Sequence, residues 1–158
     1  MSVKNVIIKS VQPNLASFAT PYSSGDVLGS LNTISDAVAE GKSSCKLDSL
    51  VVLDAANQKS AIDLVFFNEA PTTSFGADND PYALNDSDLS KLIGRITVGG
   101  SDYVSSSTTN AEATLRNLEL TLQAIAQSKA LYVVAVSRGT PTYGSATDLT
   151  LKFGLEQG

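Results

Sequence analysis

Residues that could perform acid–base or nucleophilic chemistry are scarce in this chain. Its 158 residues include no histidine and one cysteine, Cys45. The lack of histidine excludes Ser-His and Cys-His nucleophile activation and removes the commonest metal ligand. A lone cysteine cannot complete a usual zinc site, and we expect Cys45 to be a buried small hydrophobe. We therefore predict no catalytic residue, no cofactor and no metal, and we do not expect an enzyme.

Two short motifs resemble enzyme signatures without completing them. Ser43 and Lys46 have the Ser-x-x-Lys spacing of penicillin-binding enzymes, but that family also needs a Lys-Thr-Gly element and a larger domain. The glycine-containing segment 24–29 lacks the lysine of a phosphate-binding loop and the three-glycine dinucleotide pattern. We interpret the first motif as a chance match and the second as a turn that leads into a strand.

An acidic cluster between Asp78 and Asp88 could surround a hard cation such as calcium. An EF-hand loop that starts at Asp78 needs glycine at its sixth position and glutamate at its twelfth. Ala83 and Leu89 occupy those positions. Asx turns and a helix N-cap explain the same residues without an ion, and we favour that interpretation.

The charge balance limits the classes of partner. The net charge is −5, and residues 61–90 contain no basic residue but six acidic ones: Asp63, Glu69, Asp78, Asp80, Asp86 and Asp88. Nucleic-acid binding needs a basic stripe, so we expect no nucleic-acid partner. No apolar run approaches the roughly 18 residues of a membrane span, and the apolar run 6–8 is too short for a signal peptide. We expect synthesis in a cytoplasm and no membrane partner.

The elements that would position these residues are mostly strands. Apolar runs at 50–53 and 61–67 flank the polar segment 54–60 and predict an antiparallel hairpin. In the second run Ile62, Leu64 and Phe66 share one face. The opposite face is also largely apolar, which predicts an interior strand or a strand with a contact on its second face.

Further strands are predicted towards both ends of the chain. The continuous apolar run 130–136 predicts a strand covered on both faces, and Leu149, Leu151 and Phe153 alternate as in a half-buried strand. Residues 93–98 and 103–107 are weaker strand candidates. Residues 3–11 form a predicted N-terminal strand that ends before Pro13, and 103–110 is a predicted exposed, flexible loop.

One short helix is predicted near 86–93. Asn85 offers an N-cap side chain, Asp88 lies in the first turn, and Gly94 is a C-terminal stop. Segments 27–38 and 114–126 fit either a helix stripe or a strand alternation, and we favour strands for both. Four tyrosines lie in or beside predicted loops, where they could cover the end of a sandwich or form an interface: Tyr22, Tyr82, Tyr103 and Tyr143.

These segments predict a mainly β fold, an antiparallel β-sandwich or jelly-roll-like single domain with one short helix near 86–93. We divide the chain into an N-terminal arm or edge strand at 1–20 and a β-rich domain at 21–158. The apolar patches at 6–8 and around Phe18 make an arm that contacts a partner possible. An ordinary edge strand with a connecting loop explains the same patches, and we favour that interpretation.

The sequence resembles a group of small tailed-bacteriophage virion proteins of the capsid decoration or cement type. The matching patterns span most of residues 20–153 and lie at 22–29, 54, 63–67, 71–72, 77–79, 88–94, 131–133, 138–143 and 148–151. The resemblance implies a β-rich protein on the exterior of the phage head. It also implies homotrimers that sit where capsomers meet and clamp neighbouring major capsid protein subunits, with no catalytic residues.

Two other classes of function remain open at this stage. A head-fibre or host-surface binding module would contact glycans or a receptor through Tyr-, Ser-, Thr- and Asn-rich loops. Such a fibre ought to have a fibrous or repeated extension, and the sequence shows none. A small hydrolase would depend on carboxylates, but no two carboxylates are marked as partners.

Overall fold

Nested pairing of the first half of the chain with the second half organises the fold. The computed structural model describes residues 4–157. Within them β1 pairs with β10, β2 with β9, β3 with β7 and β8, and β4 with β5, all antiparallel. The strands are β1 (Val6–Val11), β2 (Val27–Ile34), β3 (Ser44–Asp54), β4 (Ile62–Phe67), β5 (Leu92–Val98), β6 (Tyr103–Val104), β7 (Ala111–Leu115), β8 (Leu120–Gln123), β9 (Leu131–Ser137) and β10 (Leu149–Glu156).

Two packed sheets result from this pairing. The larger sheet has the order β1-β10-β3-β7-β6, with β8 also paired to β3, and the smaller sheet has the order β2-β9-β4-β5. A six-stranded and a four-stranded sheet connected by nested pairs in this order form a jelly roll, a topology found in viral capsid subunits, lectins and cupins. The expectation of a mainly β, antiparallel sandwich or jelly-roll-like single domain is confirmed.

The inner faces of the two sheets form the main core. Leu50, Val52 and Leu151 of the larger sheet face Ile62, Leu64 and Phe66 of the smaller one, and all are fully buried. Phe66 meets Phe153 edge-on, with ring centroids 5.7 Å apart. Burying this apolar surface is the main favourable contribution to folding. The strand predictions for 50–53, 61–67, 93–98, 131–136 and 149–153 are confirmed.

The two ambiguous segments are strands, as favoured. Segment 27–38 contains β2, and 114–126 contains the end of β7, a loop and β8. Asn117 and Glu119 have φ angles of 54° and 51° in that loop, which breaks the alternation into two strands. The predicted strand 103–107 is shorter than expected, since β6 ends at Val104 and the exposed loop follows. The predicted strand 3–11 begins at Val6, and Val3 lies outside the described residues.

The predicted hairpin between 50–53 and 61–67 is wrong. β3 belongs to the larger sheet and β4 to the smaller one, so the loop between them crosses the sandwich. The buried carboxylate of Asp54 accepts hydrogen bonds from the N–H groups of Ala56, Gln58 and Lys59 at 2.9, 2.7 and 2.8 Å. Asn57 and Lys59 adopt φ angles of 52° and 51°. These bonds fold the loop around one side chain and direct the chain to the other sheet.

The short helix is present, but its form and end differ from the prediction. Asp86–Lys91 is a 3₁₀ helix, and the Asn85 side chain accepts a hydrogen bond from the Ser87 N–H. Gly94 does not end it, because β5 starts directly at Leu92 and includes Gly94. A short 3₁₀ helix is typical of a connector that leads into a strand. Within residues 4–157, none of the helices has the length and apolar character needed to cross a membrane.

Replacing Asp54 by asparagine tests the crossover loop. Asparagine offers one acceptor oxygen and places an amide NH₂ among N–H donors, so we expect a loss of about 1–3 kcal/mol in the free energy of unfolding. Urea denaturation of both proteins measures the difference. Asp80→Asn is the matched control, because Asp80 is exposed and its carboxylate bonds to none of the described residues. Equal stability of the two variants would contradict this account of the loop.

Candidate functional site

The outer face of the smaller sheet is closed by the chain itself. Val65 and Phe67 of β4 and Val134 and Val136 of β9 are fully buried on that face. The loop between β4 and β5 covers them with three partly buried side chains, Phe75, Tyr82 and Leu84. The prediction that β4 and β9 are covered on both faces is therefore confirmed. This face is not free to bind a partner through its strands.

Asp78 holds the covering loop against the body of the domain. Its carboxylate accepts from the N–H groups of Ser17 and Gly29, both at 2.6 Å, and from the Tyr22 hydroxyl at 2.9 Å. Gly29 has a φ of +81°, and a side chain there would lie 2.9 Å from Pro13. One carboxylate thus joins the covering loop, the segment after β1 and strand β2.

Asp88 anchors the other end of the covering loop. Its fully buried carboxylate accepts from the N–H groups of Thr72 and Thr73, both at 3.0 Å, from both threonine hydroxyls, and from Lys91 Nζ at 2.8 Å. Hydrogen bonds from Lys91, Thr73 and Thr72 hold the pKa of Asp88 far below its usual range. Such a fully satisfied carboxylate stabilises the loop as an anion.

The acidic cluster between Asp78 and Asp88 is not assembled around a common point. Asp78 and Asp88 each point to their own protein donors, and Asp80 and Asp86 are exposed. Among residues 4–157 no group of three or more acidic or cysteine side chains has a metal-binding arrangement. The N-cap interpretation is confirmed for Asn85, whereas Asp78 bonds to distant segments instead of forming a local Asx turn.

The sequence patterns did not predict a second buried carboxylate with charged partners, that of Asp63. Asp63, on the covered face of β4, accepts from Arg138 Nε at 2.7 Å, Arg95 Nη1 at 2.9 Å and the Thr97 hydroxyl at 2.7 Å. Burial opposes ionisation of Asp63, but these three hydrogen bonds outweigh it and lower its pKa. The available signal was an acidic residue inside an otherwise apolar strand, which requires charged partners.

Three of the four loop tyrosines close one end of the core. Tyr22, Tyr103 and Tyr143 are buried, and the rings of Tyr22 and Tyr143 meet at a centroid distance of 6.0 Å. Tyr82 instead packs in the covering loop, 6.0 Å beneath the Arg95 guanidinium. Its buried hydroxyl has no hydrogen-bond partner among the described residues. The prediction that loop tyrosines cover a sandwich end is therefore confirmed for three of them.

The Ser-x-x-Lys spacing has no chemical consequence in the structure. Ser43 lies in a bend directly before β3 and Lys46 lies within β3, and the two side chains form no hydrogen bond with each other. Cys45 is buried in the core, as predicted, and burial raises the pKa of its thiol to about 11. The segment 24–29 is the predicted turn and leads into β2 at Val27.

The outer face of the larger sheet is open, in contrast to that of the smaller sheet. In the described chain both buried apolar clusters lie elsewhere, one between the sheets and one under the covering loop. The open face presents short polar and scattered apolar side chains from neighbouring strands, among them Ser49 and Val51 of β3 and Thr114 of β7. We call it the open face; it is the largest sheet surface available to a partner.

Strand β1 contributes two strongly exposed apolar side chains to the open face. Val6 is 59% exposed and Ile8 is 62% exposed, and Val104 of β6, at the opposite edge of the sheet, is 64% exposed. Residues opposite each other in antiparallel strands share a face, and Gly154 stands opposite Ile8. Because glycine has no side chain, nothing on β10 covers Ile8 from that position. Val6, Ile8 and the strand edge beside them are the candidate contact surface.

Comparisons with known proteins add distant similarities only. No family model and no curated protein match the chain. A chain of the crystal structure of tomato aspermy virus is 12% identical, with 97% of this chain and 76% of that chain covered and a TM-score of 0.43. Two structures of turnip yellow mosaic virus are 11% and 12% identical, each covering 98% of this chain and 93% of the other at a TM-score of 0.27. At these scores the similarities decide neither fold nor function.

Two tyrosine-to-phenylalanine variants test the anchoring of the covering loop. Tyr22→Phe removes the hydroxyl that donates to Asp78, and we expect a loss of about 1.5–3 kcal/mol in the free energy of unfolding. Tyr82→Phe removes a buried hydroxyl without a partner, so stability should be unchanged or higher. Urea denaturation compares both with the unaltered protein. A similar loss in both variants would show that the Tyr82 hydroxyl is bonded and would contradict the structure.

The pH dependence of stability tests Asp88. Because its pKa is lower in the folded than in the unfolded chain, its contribution is complete above the unfolded value of about 3.9 and is lost as pH falls below it. Asp88→Asn should therefore weaken the protein most at neutral pH and flatten the decline of stability between pH 5 and pH 2. Asp86→Asn, at an exposed neighbour, is the control for the lost charge. If the free energy of unfolding of Asp88→Asn fell between pH 5 and pH 2 as steeply as that of the unaltered protein, Asp88 would not anchor the loop as an anion.

Proposed function

We propose that this chain is a non-catalytic virion structural protein of a tailed phage, a decoration or cement protein on the capsid exterior. It binds neighbouring major capsid protein subunits and acts as a homotrimer at the junctions between capsomers. The observation that carries the proposal is the open face with Val6 and Ile8 exposed at its edge, on a domain whose other sheet face is closed.

The contrast between the two sheet faces supports a binding role. The chain covers one sheet face with its own 24-residue connection, anchored by Asp78 and Asp88, and leaves the outer face of the other sheet uncovered. Val6 and Ile8 lie next to each other on that uncovered face, and neighbouring exposed apolar side chains favour a contact with another protein. Asp78 and Asp88 accept hydrogen bonds from loop groups, which supports a structural role for them.

The sequence resemblance and the topology support the particular class of partner. The patterns at 22–29, 63–67 and 138–143 resemble decoration proteins, and they fall on the β2 start, on β4 and on the loop after β9. Jelly rolls occur in capsid subunits, but a fold by itself does not define a function. An interface of about 1,200–2,000 Å² repeated over a shell would stabilise it through many modest contacts.

Binding to shells tests this proposal directly. Empty shells of the virus that encodes the chain, prepared without it, should bind the purified protein and melt at a higher temperature. A ligand present at about 100 times its Kd stabilises its target by about 2.7 kcal/mol per site. Sedimentation of shells with bound protein and calorimetry measure both effects, with an unrelated acidic jelly-roll protein as control. Shells that do not bind the protein, and whose melting temperature does not rise in its presence, would refute the proposal.

A further inference from the structure

We infer that the free edge of β1 is an acceptor for an extended, acidic segment of the capsid subunit, which pairs with β1 as an added strand. This inference rests on the proposed function and specifies where and how the partner binds. Strand addition gives affinity through main-chain hydrogen bonds and specificity through alternate side chains.

The hydrogen-bond register shows which main-chain groups of β1 are free. The N–H of Gln157 donates to the carbonyl of Asn5 at 2.8 Å, and the pairing of β1 with β10 continues without a shift to Val11. Bonded and non-bonded pairs alternate along an antiparallel ladder. Residues at positions 7, 9 and 11 therefore bond to β10, and Val6, Ile8 and Ser10 direct their N–H and C=O groups outward.

The other sheet edges in the described chain are blunted, and the edge of β1 is not. β2 has a register shift between Leu28 and Asn32, β5 has one at its start and places Arg95 mid-strand, and β6 and β8 are only two and four residues long. Bulges, charges and short length are devices that disfavour strand addition. β1 is six residues long and has neither a proline nor a register shift, and its one charged residue, Lys9, directs its main-chain groups to β10.

A groove beside β1 has room for the inward side chains of an added strand. It has a volume of about 380 Å³ and lies between Ile7 and Lys9 of β1 and the loop that contains Val38 and Ala39. Side chains of a paired strand alternate between the two faces. One set would lie beside Val6 and Ile8, and the other set would enter this groove.

Charge around β1 identifies the occupant. Three basic residues lie in or next to this strand: Lys4, Lys9 and Lys152. The two acidic residues that line the groove, Asp36 and Glu40, are paired with Lys129 at 3.5 and 3.2 Å. Glu156 pairs with Lys4 at 3.6 Å, and Lys9 has no ion pair with any described residue. A second copy added through its own β1 would bring two such basic strands together, and like charges on paired strands destabilise them. A segment with a carboxylate opposite Lys9 fits the charge.

A proline placed at an outward position tests the inference without disturbing the sheet. Ser10→Pro removes an N–H that points away from β10 and puts the ring at the free edge, where proline is tolerated in an edge strand. We expect it to weaken shell binding at least about tenfold, whereas Ser10→Ala, which loses the same hydroxyl, should bind within about twofold of the unaltered protein. Thermal melting of the free variants establishes that both are folded.

Hydrogen exchange supplies an independent readout of the same edge. In the free protein the amides of Val6, Ile8 and Ser10 should exchange rapidly and those of Ile7 and Lys9 slowly; on shells all five should be protected. Lys9→Gln should weaken shell binding at low salt more than at high salt, since screening removes the charge contribution.

The outcomes separate this inference from the proposed function. Shells that bind the unaltered protein and Ser10→Pro equally would overturn strand addition and leave the capsid role intact. Shells that bind neither would overturn both. Suppose that the Val6, Ile8 and Ser10 amides are protected in the free protein, and that Ser10→Pro loses the protection of Val6 and Ile8 together with a fall in solution mass. That result would show that a second copy occupies the edge and would overturn the capsid segment as occupant.

Discussion

The structure depends on the need to cover both faces of the two central strands of the smaller sheet. β4 and β9 have apolar side chains on either side, so burying one face against the larger sheet leaves Val65, Phe67, Val134 and Val136 to be covered by something else. The hydrophobic contribution of such residues is about 1.5–3 kcal/mol each when fully buried. Covering them requires a long loop between β4 and β5, and that loop has little regular structure of its own. Its position must therefore be fixed by polar contacts.

Buried carboxylates provide those contacts. Asp88 and Asp54 accept hydrogen bonds from loop N–H groups, Asp78 accepts from Ser17 and from Gly29 of β2, and Asp63 pairs with two arginines on the covered face. A buried N–H without an acceptor costs about as much as a lost hydrogen bond, so one carboxylate that accepts three or four bonds replaces a stretch of missing ladder. The acidic residues that suggested a cation site are thus structural elements of the loops.

Local patterns predicted the strands well and their partners poorly. The two-sided apolar pattern of 61–67 and 130–136 reports burial at each position, and burial is what the structure shows there. The segment 54–60 has the length and composition of a hairpin loop, and only the bonds of Asp54 to its own loop turn it into a crossover. The contacts of Asp78 with Ser17, Tyr22 and Gly29 span 49 to 61 residues, and no local pattern encodes a pairing at that range. The sequence allowed an edge strand within 1–20, but it did not show that Val6 and Ile8 point away from the core, because their outward position depends on the pairing of β1 with β10.

The jelly roll explains why an edge is available at this position. Nested pairing places the first and last strands of the fold side by side, so β10 lies inside the larger sheet and β1 is left at its border. β1 has one ladder and one free side, and it can therefore gain a partner without any rearrangement of the domain. The edges at β2, β5, β6 and β8 are irregular, charged or short, so added strands are disfavoured there. A six-residue edge without a register shift holds an added strand in a defined register, because each outward N–H and C=O group of Val6, Ile8 and Ser10 needs its own partner.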